Sequence, residues 1–201
     1  MTDDGDRGDR RVTIHGRTRI HDGFVRLDRY DVEQTVGART ARYDRLVHDH
    51  GSGAAVLPVD EARRTVLLVR QYRLPVAVEG DDPWLLEAAA GLTDPEDGDA
   101  AETAVREARE ELGVAIHDLA LVAHAYTCPG IVTERIDCFL ARYSAGDRIR
   151  GEGGGVDADE MIDVVECGLA ELADAVRSRR LKDAKTIILA QALMLERPDL
   201  F

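Results

Sequence analysis

The chain has 201 residues, 44% of them hydrophobic, which predicts one main domain with a sizeable core and an appended N-terminal part. Its formal net charge of −13 argues against nucleic acid or an anionic membrane as a partner, because both are bound through clustered Lys and Arg. The three cysteines show no CxxC spacing, which argues against a disulfide framework and a zinc site. The sequence has no apolar leader and no membrane-length apolar run, which argues against a membrane anchor. We therefore expect a cytoplasmic protein.

The first half of the chain has the patterns of β-strands. Residues 1–10 are polar, and we expect them to form a disordered lead-in. Apolar and polar residues alternate in 12–20 and 24–35, which predicts a small antiparallel β lobe within residues 11–48. Residues 54–59 and 65–72 predict a central hairpin, and residues 84–90 predict a further strand that leads into Gly91.

The second half of the chain predicts more strands and two closing helices. Residues 119–126, 136–143 and 164–166 read as strands, and 169–179 and 183–195 have helical apolar spacing. Residues 151–155 form a glycine-rich loop that is flexible by composition. Together these patterns predict an α/β domain over residues 49–201, with a mixed sheet between helices.

The segment between these halves, residues 91–114, predicts a short helix with defined ends. Asp99 and Glu102 have the spacing of a capping box, and Gly113 supplies a left-handed stop. One arc of this helix is apolar and is expected to face a core. It consists of Ala101, Ala104, Val105, Ala108 and Leu112.

Three glutamates, Glu107, Glu110 and Glu111, lie along one flank of that arc. Like charges at these spacings repel, and carboxylates at a core margin also lose solvation, so the arrangement costs a purely structural helix stability. A bound cation would remove that cost, and converging carboxylates suit Mg²⁺ or Mn²⁺. The alternative is a solvated helix face whose charge is balanced by Arg106 and Arg109.

The wider pattern favours the metal site. Residues 106–114, REAREELGV, match the REUxEExGU end of the Nudix box, and Gly91 matches its opening glycine. The chain therefore resembles the Nudix hydrolases. The spacing from Gly91 to Arg106 is one residue longer than in that family, and the first glutamate of the box has no counterpart in register. Asp97 or Asp99 stands in for it.

Other segments resemble particular branches of the family. Residues 70–73 and 83–91, with Pro129 beyond the box, resemble the ADP-ribose pyrophosphatases. The GGGVD segment at 153–157 and Lys185 are similar to the GDP-mannose hydrolases. Trp84 fits a core or interface aromatic better than a ligand contact.

The resemblance implies a fold, a set of site residues and an assembly. The fold is a Nudix-type α/β/α sandwich with a mixed sheet, plus the small N-terminal antiparallel lobe, and the lobe is expected to pack across a homodimer. Metal ligation maps onto the carbonyl of Ala90 and the carboxylates of Glu107, Glu110 and Glu111, with Arg106 orienting the glutamates. The glutamate that acts as base in this branch maps best onto Glu160, with Glu152, Asp157 and Asp159 as competitors. The candidates for phosphate or substrate binding are Arg70, Arg73, Arg135 and Lys185, although each arginine could equally form a surface ion pair.

The expected activity is Mg²⁺- or Mn²⁺-dependent hydrolysis of a nucleoside diphosphate sugar to a nucleoside monophosphate and a sugar phosphate. ADP-ribose and GDP-mannose are about equally favoured as substrates. The alternatives are a catalytically inactive Nudix-fold sensor of nucleotide sugars and a purely structural interaction domain, and the intact REAREE motif disfavours both.

Overall fold

The structure is a computed structural model that describes residues 9–155 and 161–201. The chain divides into two compact units. The first comprises Met1–Gly51 and Tyr126–Glu134, and the second comprises Ser52–Ala125 and Arg135–Phe201. The N-terminal lobe expected from the sequence pattern, residues 11–48, did not include Tyr126–Glu134, which connects two strands of the second unit.

The first unit is built on a three-stranded antiparallel sheet in the order β1-β2-β3. Its strands are β1 (Arg10–Asp22), β2 (Arg26–Val36) and β3 (Arg39–Asp49). Gly37 has a φ of +58° in the tight turn between β2 and β3, a backbone conformation that favours glycine. At the middle of the sheet the carboxylate of Asp28 is nearly buried and accepts hydrogen bonds from Arg17 and Arg19.

The sequence pattern missed β3 and misplaced the start of β2. Strand β3 carries charged residues along most of its length and is exposed at seven of its eleven positions, so no apolar alternation marks it. Phe24 was expected to begin the second strand, but it lies in the turn before Arg26 and is 81% exposed.

The second unit is a mixed sheet between helices. Its strands are β4 (Gly53–Asp60), β5 (Thr65–Tyr72), β6 (Trp84–Glu87), β7 (Ala89–Leu92), β8 (His117–Tyr126), β9 (Arg135–Arg142) and β10 (Asp163–Gly168). Its helices are α1 (Leu74–Val78), α2 (Ala100–Glu110), α3 (Leu169–Arg177) and α4 (Ala184–Glu196). The order across the sheet is β10-β5-β4-β9-β8, with β4 and β9 parallel, while β6 pairs with β5 and β7 pairs with β4.

The central strand β4 is buried at every position, because both faces of the sheet are covered. Ala55, Leu57 and Val59 pack in a cluster with residues of α3 and α4. Ala54 and Val56 pack in a second cluster that includes Ala104 and Ala108 of α2. The expected α/β/α sandwich is therefore confirmed, with α2 on one face and α3 and α4 on the other.

Two local expectations for this unit were wrong. The strand predicted over residues 84–90 is broken at Ala88, whose N–H donates to the hydroxyl of Thr186 on α4 at 2.7 Å, so that β6 joins β5 and β7 joins β4. Val105 was expected to face the core but is 48% exposed, because the buried face of α2 runs through Thr103, Ala104, Glu107 and Ala108. Within the described ranges, no helix is long and apolar enough to cross a membrane.

Candidate active site

Helix α2 has defined ends, which fix the position of the glutamates near its C-terminus. The Asp99 carboxylate accepts hydrogen bonds from the N–H groups of Ala101 and Glu102, as an N-cap residue does. The Glu102 carboxylate accepts from the N–H of Gly98, one residue before the position that a capping box uses. Beyond the C-terminal end, Gly113 has a φ of +62° and donates to the carbonyl of Arg109.

The glutamates Glu107 and Glu111 approach the backbone at the start of β7. Their exposed fractions are only 8% and 5%. The N–H of Ala90 donates to Oε2 of Glu111 at 3.0 Å. A Cβ at Gly91 would lie 1.8 Å from Oε1 of Glu107, so this position accepts only glycine while that carboxylate stays in place. Two nearly buried carboxylates therefore approach the same stretch of β7 backbone, at Ala90 and Gly91.

Arg106 lies at the centre of an acidic network. Its guanidinium donates to Glu107 at 2.7 Å and to Glu110 at 3.0 Å, and it also donates to the carbonyl of Leu92. Two further hydrogen bonds go to the carboxylate of Asp97. Through these bonds Arg106 links the loop before α2, at Leu92 and Asp97, to the two glutamates, and it restricts the rotation of their side chains.

Asp97 and Asp99, the two candidates for the missing box glutamate, have different contacts. Asp97 contacts Arg106, and its carboxylate also accepts from the N–H of Asp94 and the buried hydroxyl of Thr103. The Arg106 hydrogen bond, helped by these donors, holds the pKa of Asp97 well below its usual range. Asp99 caps the helix instead. The loop support is therefore assigned to Asp97.

The donors at this site suit a hard divalent cation. Within residues 9–155 and 161–201, no three Asp, Glu, His or Cys side chains already form a complete metal site. The donor chemistry nevertheless fits, because the carboxylates of Glu107 and Glu111 supply oxygen ligands beside the backbone of Ala90. Glu110, the third expected ligand, is paired with Arg106 and its side chain is 29% exposed. These residues are where we expect Mg²⁺ or Mn²⁺ to be held.

Two predicted substrate-binding residues form ion pairs with a carboxylate that the sequence pattern did not single out. The guanidinium of Arg73 makes two hydrogen bonds with Glu87, at 2.7 and 2.8 Å, and Lys185 also contacts Glu87. Glu87 is 2% exposed. Burial disfavours its charge, but the bonds from Arg73 and the charge of Lys185 outweigh this effect, so the pKa of Glu87 lies below its ordinary value. A lone carboxylate inside the apolar run LLEAAAG was the signal that could have identified it.

The other two predicted arginines lie at the surface. Arg70 is exposed on β5 and forms no ion pair with the described residues. Arg135 is exposed at the start of β9 and lines a cavity of about 370 Å³ with Thr93, His124 and Asp137. Nδ1 of His124 lies 2.6 Å from Asp137. Both guanidinium groups are therefore accessible to an anionic ligand.

The glycine-rich loop packs against the C-terminal end of α2. The N–H groups of Gly154 and Gly155 donate to the carbonyls of Glu111 and Glu110, at 2.8 and 3.2 Å. Glu152 makes two hydrogen bonds with Arg109, which lower the pKa of the Glu152 carboxyl. The loop follows a defined path, and the glycines are required by their positive φ angles, +82° to +97° at residues 151, 153, 154 and 155.

The proposed base lies outside the described residues. Glu160 and its competitors Asp157 and Asp159 all fall in 156–160, so the structure places none of them. The fourth candidate, Glu152, is described, and its two bonds to Arg109 disfavour a role as base.

Comparisons with known proteins agree on one family. The model of the NUDIX domain matches residues 49–188. The chain is 42% identical over 168 residues to a GDP-mannose pyrophosphatase of Cronobacter sakazakii, covering 83% of this chain and 85% of that protein. It is 39% identical over 183 residues to a GDP-mannose pyrophosphatase of Pectobacterium atrosepticum, covering 90% and 92%.

A solved structure has the same fold. The crystal structure of an ADP compounds hydrolase superposes with a TM-score of 0.72 and covers 94% of this chain and 95% of that one. At 18% identity the similarity is one of fold.

Proposed function

This chain belongs to the Nudix family, and we propose from that premise that it hydrolyses the pyrophosphate bond of a nucleoside diphosphate sugar. Water adds to one phosphorus, the bridging P–O bond breaks, and a nucleoside monophosphate and a sugar phosphate leave. The observation that carries the proposal is the pair of nearly buried carboxylates, Glu107 and Glu111, set against the backbone of Ala90 and Gly91. Two carboxylates in that place would bind a divalent cation, and the cation would in turn bind the diphosphate of the substrate.

We propose GDP-mannose as the first substrate to test, with ADP-ribose as the second. Relatives that cover most of this chain are named GDP-mannose pyrophosphatases, which supports the first. The similar fold of an ADP compounds hydrolase is the reason for testing ADP-ribose as well. A nucleotide-sugar ligand does not require a basic surface, and the net charge of −13 is compatible with recognition through a few arginines and a metal ion.

Glu107, Glu110, Glu111 and the carbonyl of Ala90 are proposed to hold Mg²⁺ or Mn²⁺. When bound, the cation would offset the charge of the diphosphate and lower the pKa of a bound water. Arg106 keeps Glu107 and Glu110 oriented through its hydrogen bonds. Arg70 and Arg135, whose guanidinium groups are accessible, are proposed to contact phosphate oxygens.

Arg73 and Lys185, which both form ion pairs with Glu87, are proposed to bind the substrate. Each side chain is held by the buried carboxylate, so its position is fixed before a ligand arrives. Arg73 is also within electrostatic range of Glu111, whose charge contributes to the raised pKa of the Arg73 guanidinium.

The test is a side-by-side assay of GDP-mannose, ADP-ribose, ADP-glucose and UDP-glucose, with Mg²⁺, with Mn²⁺ and with a chelator. We expect metal-dependent release of GMP and mannose 1-phosphate from GDP-mannose. Glu111→Gln should lose at least about 100-fold in kcat while the protein stays folded, because one ligand charge is removed. Glu196→Gln, the same change at an exposed residue of α4, is the matched control.

Activity of Glu111→Gln equal to that of Glu196→Gln, with no increase in the metal requirement, would remove the assignment of the metal ligands. Binding of nucleotide sugars without hydrolysis of any of them would favour the alternative of a catalytically inactive sensor.

Glu160 is proposed as the general base. Glu160→Gln should lower turnover by about 100-fold or more with a much smaller change in substrate affinity, since it retains size but cannot accept the proton. Asp159→Asn and Glu152→Gln are the comparison variants. An active Glu160→Gln beside an inactive Asp159→Asn would move the role of base to the aspartate.

A further inference from the structure

An aromatic cavity lies where β5 and β6 meet. It has a volume of about 300 Å³ and is lined by Gln71, Tyr72, Trp84 and Met161. Tyr72 and Trp84 are directly paired across the two strands, with ring centroids 5.6 Å apart and ring planes at 64°. A cavity of this size with aromatic walls matches the low end of the range for sites that bind small molecules.

The exposure of these side chains is inconsistent with a role in the core. Tyr72 and Trp84 are each 45% exposed and Met161 is 73% exposed. Neither ring belongs to the two clusters of buried residues that stabilise the sheet. The aromatic surface is therefore available to a ligand, in contrast to the core or interface role expected for Trp84.

Gln71 adds a polar group to the same cavity. Its amide oxygen is buried and has no hydrogen-bond partner among the described residues. Buried amide groups in folded proteins are nearly always paired, so an oxygen that the described residues leave unpaired, on a side chain that lines a cavity, points to a further partner. The N–H groups on the edge of a nucleobase are donors of the required kind.

The residues that line the cavity are close in sequence to residues of the proposed active site. Arg73 directly follows Tyr72 and is held by Glu87, and the charge of Glu111 acts on the Arg73 guanidinium. In the other direction, Ala90 lies six residues beyond Trp84, a path along the chain of at most about 20 Å. An extended ligand with a base at one end and a diphosphate further along could contact both places.

We propose that this cavity binds the nucleobase of the nucleotide sugar, with Trp84 providing the ring on which the base stacks. The proposal rests on the proposed function, because it assigns one part of that substrate. Stacking on an aromatic face provides affinity for any base, and the amide of Gln71 adds a contact that distinguishes base edges.

Trp84 is the only tryptophan in the chain, so its fluorescence reports on this cavity alone. GMP, AMP and UMP are titrated into the full-length protein without metal, so that no turnover is involved. We expect the emission to be quenched in a saturable way, with the binding constant that calorimetry measures for the same nucleotide.

The variants separate stacking from folding. Trp84→Ala should raise KM for GDP-mannose and the dissociation constant for GMP by about tenfold or more, with kcat little changed, while Trp84→Phe keeps most of the affinity. Leu195→Ala, at an exposed apolar residue of α4, is the control, and thermal unfolding of each variant verifies the fold.

Two outcomes would overturn the proposal. One is GMP binding by calorimetry with unchanged tryptophan emission and with unchanged affinity in Trp84→Ala. The other is a loss of affinity in Tyr126→Ala instead, which would place the base in the cavity of the first unit that Tyr126 lines. Quenching by GMP in a protein that hydrolyses none of the substrates would support the cavity and contradict the proposed function, so the two can fail separately.

Discussion

At the scale of single residues, the tightest constraint in the proposed active site is at Gly91. The Glu107 carboxylate occupies the space where a side chain would begin, 1.8 Å from the position of a Cβ. We predict that Gly91→Ala displaces this carboxylate and lowers kcat/KM by about 100-fold, the effect of moving a catalytic group by roughly 1 Å. Gly168→Ala is the control, since a Cβ there meets nothing within 4 Å. Steady-state kinetics on both variants is the measurement, and equal activity would contradict the role of Glu107.

Asp97 leads to a prediction about pH. Its pKa is lowered by Arg106 from the ordinary 3.8, so the folded state binds its proton more weakly than the unfolded state does. The stabilisation is therefore fully present above pH 3.8 and is lost as the pH falls toward the pKa in the folded state. Asp97→Asn should be less stable than the wild type at pH 7, and the gap should narrow in acid. Urea unfolding between pH 7 and pH 3 measures it, with Asp94→Asn as the control at an exposed neighbour.

The residues of the box show what the sequence could and could not predict. Gly91, Arg106 and the three glutamates follow from a constrained motif, and the structure brings them together. Asp97 and Asp99 could not be separated, because both precede the helix by three residues or fewer and only the path of the loop decides which one contacts Arg106. Glu87 was missed because its partners, Arg73 and Lys185, come from distant parts of the chain.

At the scale of elements, the glycine-rich loop and α2 depend on each other. A Cβ at Gly113 would lie 2.3 Å from the carbonyl oxygen of Glu152, which is backbone and cannot turn away as a side chain could. Gly113→Ala should therefore separate the loop from the helix and remove the donors that Gly154 and Gly155 provide to the carbonyls of Glu111 and Glu110.

Gly151→Ala is a matched control for this prediction. Gly151 also has a positive φ, +82°, but a Cβ there meets nothing within 4 Å, so both variants share the backbone strain and differ in the clash. Gly113→Ala should cost at least about 1 kcal/mol more in unfolding free energy than Gly151→Ala. It should also raise the metal concentration needed for half-maximal activity. Equal effects of the two substitutions on both quantities would show that strain alone matters at Gly113.

Elements with strong apolar periodicity were predicted from the sequence, and elements fixed by distant contacts were not. The strands β4, β5, β8 and β9 and the helices α2 to α4 were predicted within a few residues, because each packs apolar side chains against one of the two core clusters. The break at Ala88 has no local signal, since its cause is a hydrogen bond to Thr186 almost a hundred positions away. Helix α1 has only five residues, LPVAV, which is too short for a helical apolar spacing to mark it.

At the scale of the whole molecule, the N-terminal unit has almost no core of its own. Asp28 is the only buried residue among those described in Met1–Gly51 and Tyr126–Glu134. Several apolar side chains of its sheet are exposed instead. They are Val12 at 62%, Ile14 at 62%, Ile20 at 51% and Leu46 at 47%. A small sheet without a buried apolar face is marginally stable in water, so we infer that this unit packs against a partner surface.

We propose that the partner is a second copy of this chain and that the protein is a homodimer. Closed two-fold assemblies are the commonest among soluble oligomers, and a two-fold interface would cover the apolar side chains of both copies at once. Light scattering at micromolar concentration should give the mass of a dimer, and the unfolding temperature should rise with protein concentration, as mass action requires.

Ile14→Asp should shift the protein toward the monomer and lower its unfolding temperature, because it places a charge in an apolar contact. Leu195→Asp, at an 81% exposed residue of α4, should leave both quantities unchanged. A monomer at every concentration tested, with an unfolding temperature independent of concentration and of the Ile14 substitution, would mean that the N-terminal sheet is stable without a second copy.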